Sequence, residues 1–122
     1  MSRIRFLLDT HVPPAVVRAV LKEEPTAQLW VVGVHPWVPA TGTPDSELLL
    51  FAERERLLLV TYDQDTMPGH VADHLRGGRH TWGVMIFPRG NFLSPGTIGQ
   101  ELLTLLLASD ADEWIDKIDY LP

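Results

Sequence analysis

Hydrophobic residues along the chain form short runs that alternate with helical repeats. Four runs contain β-branched or aromatic residues and have the length of strands. They cover residues 4–8, 29–34, 57–60 and 82–87. Because the third run is apolar without interruption, we expect it to be a central strand that is covered on both faces.

Four further stretches carry apolar side chains every three or four positions, which predicts helices. The predicted helices run from a Thr10 or His11 cap to about Glu24, from a Thr43 cap to about Glu55, over 68–75, and from Ser94 or Thr97 to about Ala108. The tail, 110–122, fits a helical turn followed by an edge strand, although its pattern does not decide the type. Alternating strands and helices are typical of βαβ units. We therefore predict one α/β domain over 1–122, with three α/β/α layers and a mainly parallel sheet of four to five strands.

Composition narrows the classes of function. The chain has 122 residues, no cysteine and a net charge of −6, so disulfides, zinc–thiolate sites and thiol nucleophiles are excluded. The apolar run 6–8 is far shorter than a signal-peptide core or a membrane span, and we expect a cytoplasmic protein without a membrane partner. The acidic charge argues against binding nucleic acid through a basic surface. It argues less against a nuclease, because bound divalent cations reverse the local sign of a carboxylate cluster.

Aspartates stand where two predicted strands end and where one helix begins. Asp9 follows the first strand, and Asp63 and Asp65 follow the third. Asp45 lies in the first turn of the helix before the third strand. In open parallel sheets, functional groups collect beyond the carboxyl ends of the strands, so we expect these acids to converge. Singly, each acid could instead serve only as a turn or helix-start residue.

Converging carboxylates repel one another until protons or cations bind. Their hard oxygen ligands suit Mg²⁺ or Mn²⁺. Such an ion can polarise a phosphodiester and lower the pKa of a bound water. The cluster therefore predicts phosphodiester hydrolysis.

Three segments also resemble, in the same order, the DUF5615 PIN-like family, which is related to VapC-type toxin nucleases and Mut7-C domains. The segments are 6–14, 44–49 and 58–65, and the resemblance covers residues 4–90. It implies a Mg²⁺- or Mn²⁺-dependent ribonuclease that acts on RNA, as the toxin of a toxin–antitoxin system with an antitoxin protein as partner. By this resemblance, the catalytic and metal-binding residues are Asp9, Asp45, Asp63 and Asp65.

The chain departs from the family pattern at several points. It lacks an acid on an early helix, has Thr10 where relatives often have an acid or Asn, and has Thr66 where Phe is usual. The missing helix acid, the acidic net charge and Trp37 in the long loop, as a stacking or interface residue, favour an alternative, a catalytically degenerate PIN-like protein that acts as a protein-binding module. A CheY-like receiver would also gather acids, but Lys22 and Lys117 do not lie at strand ends.

Basic side chains near the predicted site are candidates for binding the substrate. His11, Arg76 and Arg89 are predicted to contact the phosphates of RNA, and Arg79 is a further candidate. The simpler alternative is that His11 caps the following helix and that the arginines are solvated surface charges.

Two further patterns lie outside the acidic cluster. His70 and His74 are spaced four residues apart, as in a helical metal site, but no Glu follows His70 and we interpret the pair as a solvated helix face. The leucine-rich helix over 98–107 has more apolar surface than one small core usually covers, which predicts a homodimer.

Overall fold

The structure is a computed structural model that describes residues 3–88 and 93–120. Its strands are β1 (Phe6–Leu8), β2 (Leu29–Val31), β3 (Leu58–Thr61), β4 (Val84–Ile86) and β5 (Ile118–Tyr120). They form one five-stranded sheet in the order β2-β1-β3-β4-β5, and every neighbouring pair is parallel. The predicted α/β class with a mainly parallel sheet is confirmed.

Helices cover both faces of this sheet. They are α1 (Pro14–Glu23), α2 (Asp45–Glu55), α3 (Met67–Arg76) and α4 (Pro95–Ala108). Helices α1 and α4 pack together on one face, and α2 and α3 pack together on the other. The fold is thus a three-layer α/β/α arrangement. The undecided tail consists of a short 3-10 helix, Ala111–Trp114, followed by β5 at the sheet edge. None of the helices in the described ranges has the length and apolar content that crossing a bilayer requires.

The central strand β3 divides the hydrophobic core into two halves. All four of its residues are buried, as the uninterrupted apolar run predicted. Leu58 and Val60 pack in the core beneath α1 and α4, whereas Leu59 packs in the core beneath α2 and α3. This alternation follows from the pleat of a strand, in which successive side chains point to opposite faces. It also decides which face each residue beyond the strand end will occupy.

The predicted cap of the first helix is wrong. Pro13 is the N-cap of α1, and no side chain caps it. The chain instead turns between the first strand and the helix through a hydrogen bond from the backbone N–H of Val12 to the carbonyl of Asp9, at 3.0 Å. Because proline at a helix start has no N–H to satisfy, less is gained from a side-chain cap at this position.

Of the caps predicted for α2 and α4, the first is wrong and the second is correct. Pro44, not Thr43, is the N-cap of α2, because the Thr43 hydroxyl donates to the carbonyl of Ala40 at 2.6 Å instead. Of the two candidates for the start of α4, Ser94 is the N-cap. Its hydroxyl accepts a hydrogen bond from the backbone N–H of Thr97 at 3.1 Å.

The leucine-rich helix α4 buries most of its apolar surface within the domain. Ile98, Leu102, Leu103 and Leu106 are buried in the core shared with α1. Leu107 is 70% exposed. The apolar surplus on which the homodimer was predicted is therefore smaller than the sequence indicated, and the homodimer stays a prediction.

Gly83 provides a test of how tightly the 3-10 segment packs on the sheet. Its φ is +106°, and an added Cβ would lie 2.8 Å from the Cβ of Trp114 and 3.2 Å from Cδ1 of Leu58. We expect Gly83→Ala to lower the free energy of unfolding by about 2–4 kcal/mol, because backbone strain and overpacking act together. The measurement is urea unfolding.

Gly69→Ala is the matched control. Gly69 lies inside α3, and a Cβ there would meet nothing within 4 Å. This substitution should raise stability by about 0.5–1 kcal/mol, because alanine favours the helix. Equal stability of Gly83→Ala and the parent protein would contradict the packing described for Gly83.

Candidate active site

The alternation of side chains along the two central strands positions the first acidic group. Leu7 of β1 and Leu59 of β3 are paired and point to the α2/α3 face. Asp9 and Thr61 follow two residues later and share that face. The backbone N–H of Asp9 donates to the carbonyl of Val60 at 2.9 Å and so extends the strand pairing. The Thr61 hydroxyl donates to Oδ2 of Asp9 at 3.0 Å, which orients the carboxylate.

A tight turn after β3 holds the second acid. The backbone N–H of Asp63 donates to the Thr61 hydroxyl at 3.1 Å. Oδ1 of Asp63 accepts the N–H groups of Asp65 at 3.0 Å and of Thr66 at 2.9 Å, and Oδ2 accepts the Thr66 hydroxyl. Asp63 therefore closes the turn that leads into α3. Asp65 is exposed and supports Asp63 through its backbone N–H.

The third acid arrives from a different part of the chain. Asp45 is the first residue of α2, and a hydrogen bond joins its carboxyl group to that of Asp63. Burial raises the pKa of Asp45. The hydrogen bond to Asp63 and repulsion from the charges of Asp63 and Asp9 raise it further, against a smaller opposite effect of His70.

The pKa of Asp63 shifts in the opposite direction. Burial alone would raise the pKa of Asp63, but its hydrogen bonds from the Thr66 hydroxyl, from the N–H groups of Thr66 and Asp65, and from Asp45 lower it to about 2. The two neighbouring carboxyl groups therefore differ in proton affinity, and Asp45 holds a proton more readily than Asp63 does.

These acids line one cavity of about 740 Å³ at the carboxyl edge of the sheet. Asp9, Asp45 and Asp63 all contribute to its wall. Among the described residues that line it there is no lysine or arginine. The convergence expected from the sequence is thus present for three of the four aspartates. The side chain of Asp65 is not among the lining residues within the described ranges.

The predicted substrate-binding residues lie in different places. His11 lines the cavity, its side chain is 82% exposed, and its Nδ1 lies 3.7 Å from Oδ1 of Asp9. Arg76 is the last residue of α3, where it pairs with Asp73, and it does not line the cavity. Arg89 lies outside the described residues. Of the two candidates that the structure describes, it brings His11 to the acids and leaves Arg76 away from them.

The two histidines of α3 point to different partners, so the interpretation as one solvated face is wrong. His74 is buried, and its Nε2 lies 3.1 Å from Oε1 of Glu53 and 2.9 Å from the carbonyl oxygen of His80. His70 lies one turn closer to the acids, with Nε2 4.0 Å from Oδ2 of Asp45. Arg79 also binds Glu53, at 2.9 Å, far from the cavity.

The donor set of the cavity determines which cation it suits. In the described part of the chain, no three His, Asp or Glu side chains are arranged as a ready-made metal site. The carboxyl groups of Asp45 and Asp63 nevertheless interact directly, and when both are ionised two carboxylates lie side by side. Mg²⁺ usually takes one or two carboxylates from a protein and keeps several waters. Asp45 and Asp63 thus offer the kind and number of protein ligands that Mg²⁺ or Mn²⁺ takes, and Asp9 lines the same cavity.

Two threonines that organise these acids were missed by the sequence analysis. Thr61 orients Asp9 and accepts a hydrogen bond from the N–H of Asp63, and Thr66 donates twice to Asp63. The spacing Asp63-x-x-Thr66 is a recognisable side-chain turn signal. Thr61 could have been found from strand alternation, because it shares a face with Leu59.

The opposite pKa shifts of the acid pair predict opposite effects of two substitutions. Because its folded-state pKa is raised, ionised Asp45 destabilises the fold as pH rises above the ordinary value of 3.8. The lowered pKa of Asp63 stabilises the fold above that value, and this contribution is lost as pH falls through about 2. We expect Asp45→Asn to raise the melting temperature by a few degrees near pH 7 in metal-free buffer, and Asp63→Asn to lower it.

Thermal melts from about pH 3 to pH 8 test this prediction. The gain in melting temperature from Asp45→Asn should vanish near pH 3, where Asp45 is protonated in the parent protein. A lower melting temperature for both variants near pH 7 would contradict the opposite pKa shifts of Asp45 and Asp63.

Comparison with known proteins identifies no relative of this chain. No protein-family model matches this chain, and no curated protein and no solved structure matches it significantly. The chemistry of the cavity is therefore argued from its own residues.

Proposed function

We propose that this chain is a PIN-like, Mg²⁺- or Mn²⁺-dependent ribonuclease, in which Asp45 and Asp63 bind the cation and Asp9 completes the site. The observation that carries the proposal is that three aspartates, distant in sequence, line one cavity, and that the carboxyl groups of two of them interact directly. A helix start or a turn requires only one acid at a time, so neither role explains why the three meet.

Each residue has a distinct task in this proposal. Asp63, with a pKa of about 2, is ionised throughout the physiological range. Asp45, whose pKa is raised, would have to be ionised to act as a ligand. Oδ2 of Asp9 is oriented by the Thr61 hydroxyl and Oδ1 by the backbone N–H of His11, and the carboxylate so held would orient the water that attacks the phosphodiester. When bound, the cation would supply charge neutralisation at the phosphate and a lowered pKa for the attacking water.

The biological context of the proposal rests on the family resemblance alone. RNA is the proposed substrate, and the proposed setting is a cytoplasmic toxin–antitoxin system with an antitoxin protein as partner. Asp65 is proposed to support Asp63 through the turn, a role consistent with its backbone hydrogen bond.

A cleavage assay on labelled single-stranded RNA of mixed sequence tests the proposal. We expect cleavage with Mn²⁺ or Mg²⁺, loss of cleavage in EDTA, and recovery when excess Mn²⁺ is added back. Cleavage that continues unchanged in EDTA, or no cleavage with either cation, would contradict the proposed function.

The second candidate, a protein-binding module, is favoured by apolar side chains exposed after β2. Val34 is 68% exposed and Trp37 is 58% exposed, and Trp37 stands edge-on to Trp30 with the ring centres 6.2 Å apart. Under this alternative the chain neither cleaves RNA nor binds Mn²⁺. Under the leading proposal, Trp37→Ala leaves cleavage unchanged, because Trp37 does not line the cavity.

A further inference from the structure

The cavity has two halves of different chemistry. Side-chain alternation sends Asp9 and Thr61 to the α2/α3 face, where the turn after β3 also holds Asp63, and it sends Tyr62 to the α1/α4 face. Tyr62 accordingly packs against the core beneath α1 and α4. The wall on this side consists of Tyr62 and of apolar residues at the starts of α1 and α4, namely Pro13, Leu93, Pro95 and Ile98. An apolar compartment therefore adjoins the three acids.

Tyr62 is the aromatic member of this compartment and is held in place. Its ring contacts that of Phe87 with the centres 6.0 Å apart and the planes at 54°. The side chain is half-buried, and burial raises the pKa of its phenol. Within the described ranges, the hydroxyl of Tyr62 has no hydrogen-bond partner. A fixed aromatic ring with an available hydroxyl is suited to a flat ligand that carries polar edges.

The two halves together specify the ligand. A phosphodiester group suits the acidic half only when a cation neutralises it, and the apolar half needs a group with an extensive flat surface. An unpaired nucleotide joins both groups within one residue, whereas the bases of a duplex are stacked inside the helix. The cavity volume of about 740 Å³ is within the range of small-molecule sites.

We propose that the apolar half of the cavity is a subsite for one unpaired nucleobase of single-stranded RNA, which stacks on Tyr62 while the adjoining phosphodiester lies over Asp9, Asp45 and Asp63. This inference rests on the proposed ribonuclease function and adds a residue that determines substrate class. Stacking on an aromatic side chain tolerates every base, because each base has a π-face. The subsite therefore selects single strands without strong sequence preference.

Substitutions at Tyr62 test the subsite by binding, separately from cleavage. Fluorescence anisotropy would follow a labelled single-stranded RNA with Ca²⁺ in place of Mg²⁺, on Tyr62→Ala, Tyr62→Leu and Tyr62→Phe. Loss of stacking should weaken binding roughly 5- to 150-fold in Tyr62→Ala and Tyr62→Leu. Tyr62→Phe keeps the ring and should bind within about twofold of the parent. Tyr62→Leu keeps apolar volume beside Phe87, so its RNA affinity tests the subsite even if Tyr62→Ala fails to fold.

A series of RNAs that each lack one base separates base stacking from a merely structural role of Tyr62, because a structural role would not depend on which base is missing. Removing the base at one position of the RNA should weaken binding to the parent protein, and the same removal should have no further effect in Tyr62→Leu. In cleavage assays, Tyr62→Leu should raise KM with kcat little changed, because uniform binding is lost. Duplex RNA should compete poorly.

Three results would overturn the subsite. They are unchanged RNA binding by Tyr62→Leu, an abasic penalty that persists in that variant, and duplex binding as tight as single-strand binding. If metal-dependent cleavage is intact in the same preparations, only the subsite is lost. If the parent protein neither binds nor cleaves RNA with Mg²⁺ or Mn²⁺, the proposed function is lost together with the subsite.

Discussion

Asp63→Asn and Asp9→Asn should each reduce metal-dependent RNA cleavage by on the order of 10³-fold or more. Each substitution removes a negative charge from the wall that would hold the cation, and a cation contributes several kcal/mol to stabilising a phosphoryl transition state. Asparagine keeps the shape of the side chain. Its amide oxygen can still accept hydrogen bonds from Thr61 at position 9 and from the turn at position 63.

The matched control is Asp73→Asn. Asp73 is an exposed acid on α3 that pairs with Arg76 and does not line the cavity. It should cleave at the parent rate, which separates loss of a site carboxylate from loss of net charge. Circular dichroism checks that each variant is folded at the assay temperature. Parent-level cleavage by both Asp9→Asn and Asp63→Asn would contradict the proposed mechanism.

Mn²⁺ should stabilise the folded protein strongly, because the acid cluster forms only in the native state. A ligand that binds the native state at 100 times its Kd adds about 2.7 kcal/mol to stability. Without the cation, the burial of Asp45 and its repulsion by the neighbouring carboxylates, which raise its pKa, oppose folding. Melting curves at increasing Mn²⁺ should therefore shift steadily upward with the logarithm of concentration.

The same measurement identifies the ligands. Asp45→Asn and Asp63→Asn should lose the Mn²⁺-dependent shift, whereas Asp73→Asn should keep it. The shift should also weaken as pH falls, because the raised pKa of Asp45 lets protons compete with the cation. An equal Mn²⁺ shift in all variants would assign the binding to another surface.

The sheet was predictable from local patterns because its strands are buried. Residues 57–60 are apolar without interruption, and the corresponding strand β3 lies at the centre of the sheet. Asp9 and Asp63 could be assigned to one edge because both follow parallel neighbouring strands. Ser94 was recognisable as a cap because its hydroxyl acts on an amide three residues later. In each case the decisive interaction is short in sequence or follows from strand direction.

Features that depend on the contacts of one particular element were less predictable. Thr43 has the side chain of a helix cap, but its hydroxyl bonds Ala40 in the preceding turn. Arg76 was expected near the phosphates, yet α3 begins at the acidic edge and its ten residues rise about 15 Å, which carries Arg76 away from the cavity. His74 is buried because Glu53 of α2 approaches it.

The apolar half of the cavity also required the structure. It is built from side chains at the starts of two helices, Pro13 and Pro95, together with Tyr62 from the strand end. No spacing in the sequence relates these positions. Their proximity follows from the packing of α1 against α4 across the same face of the sheet.

A crystal of the protein soaked in Mn²⁺ and measured at a wavelength where manganese scatters anomalously would locate the cation directly. The account predicts one strong anomalous peak in the cavity, about 2.0–2.3 Å from carboxyl oxygens of Asp45 and Asp63, with Asp9 contacting it directly or through water. A peak confined to another surface, or none in the cavity at saturating Mn²⁺, would contradict the claim that these aspartates form a metal site.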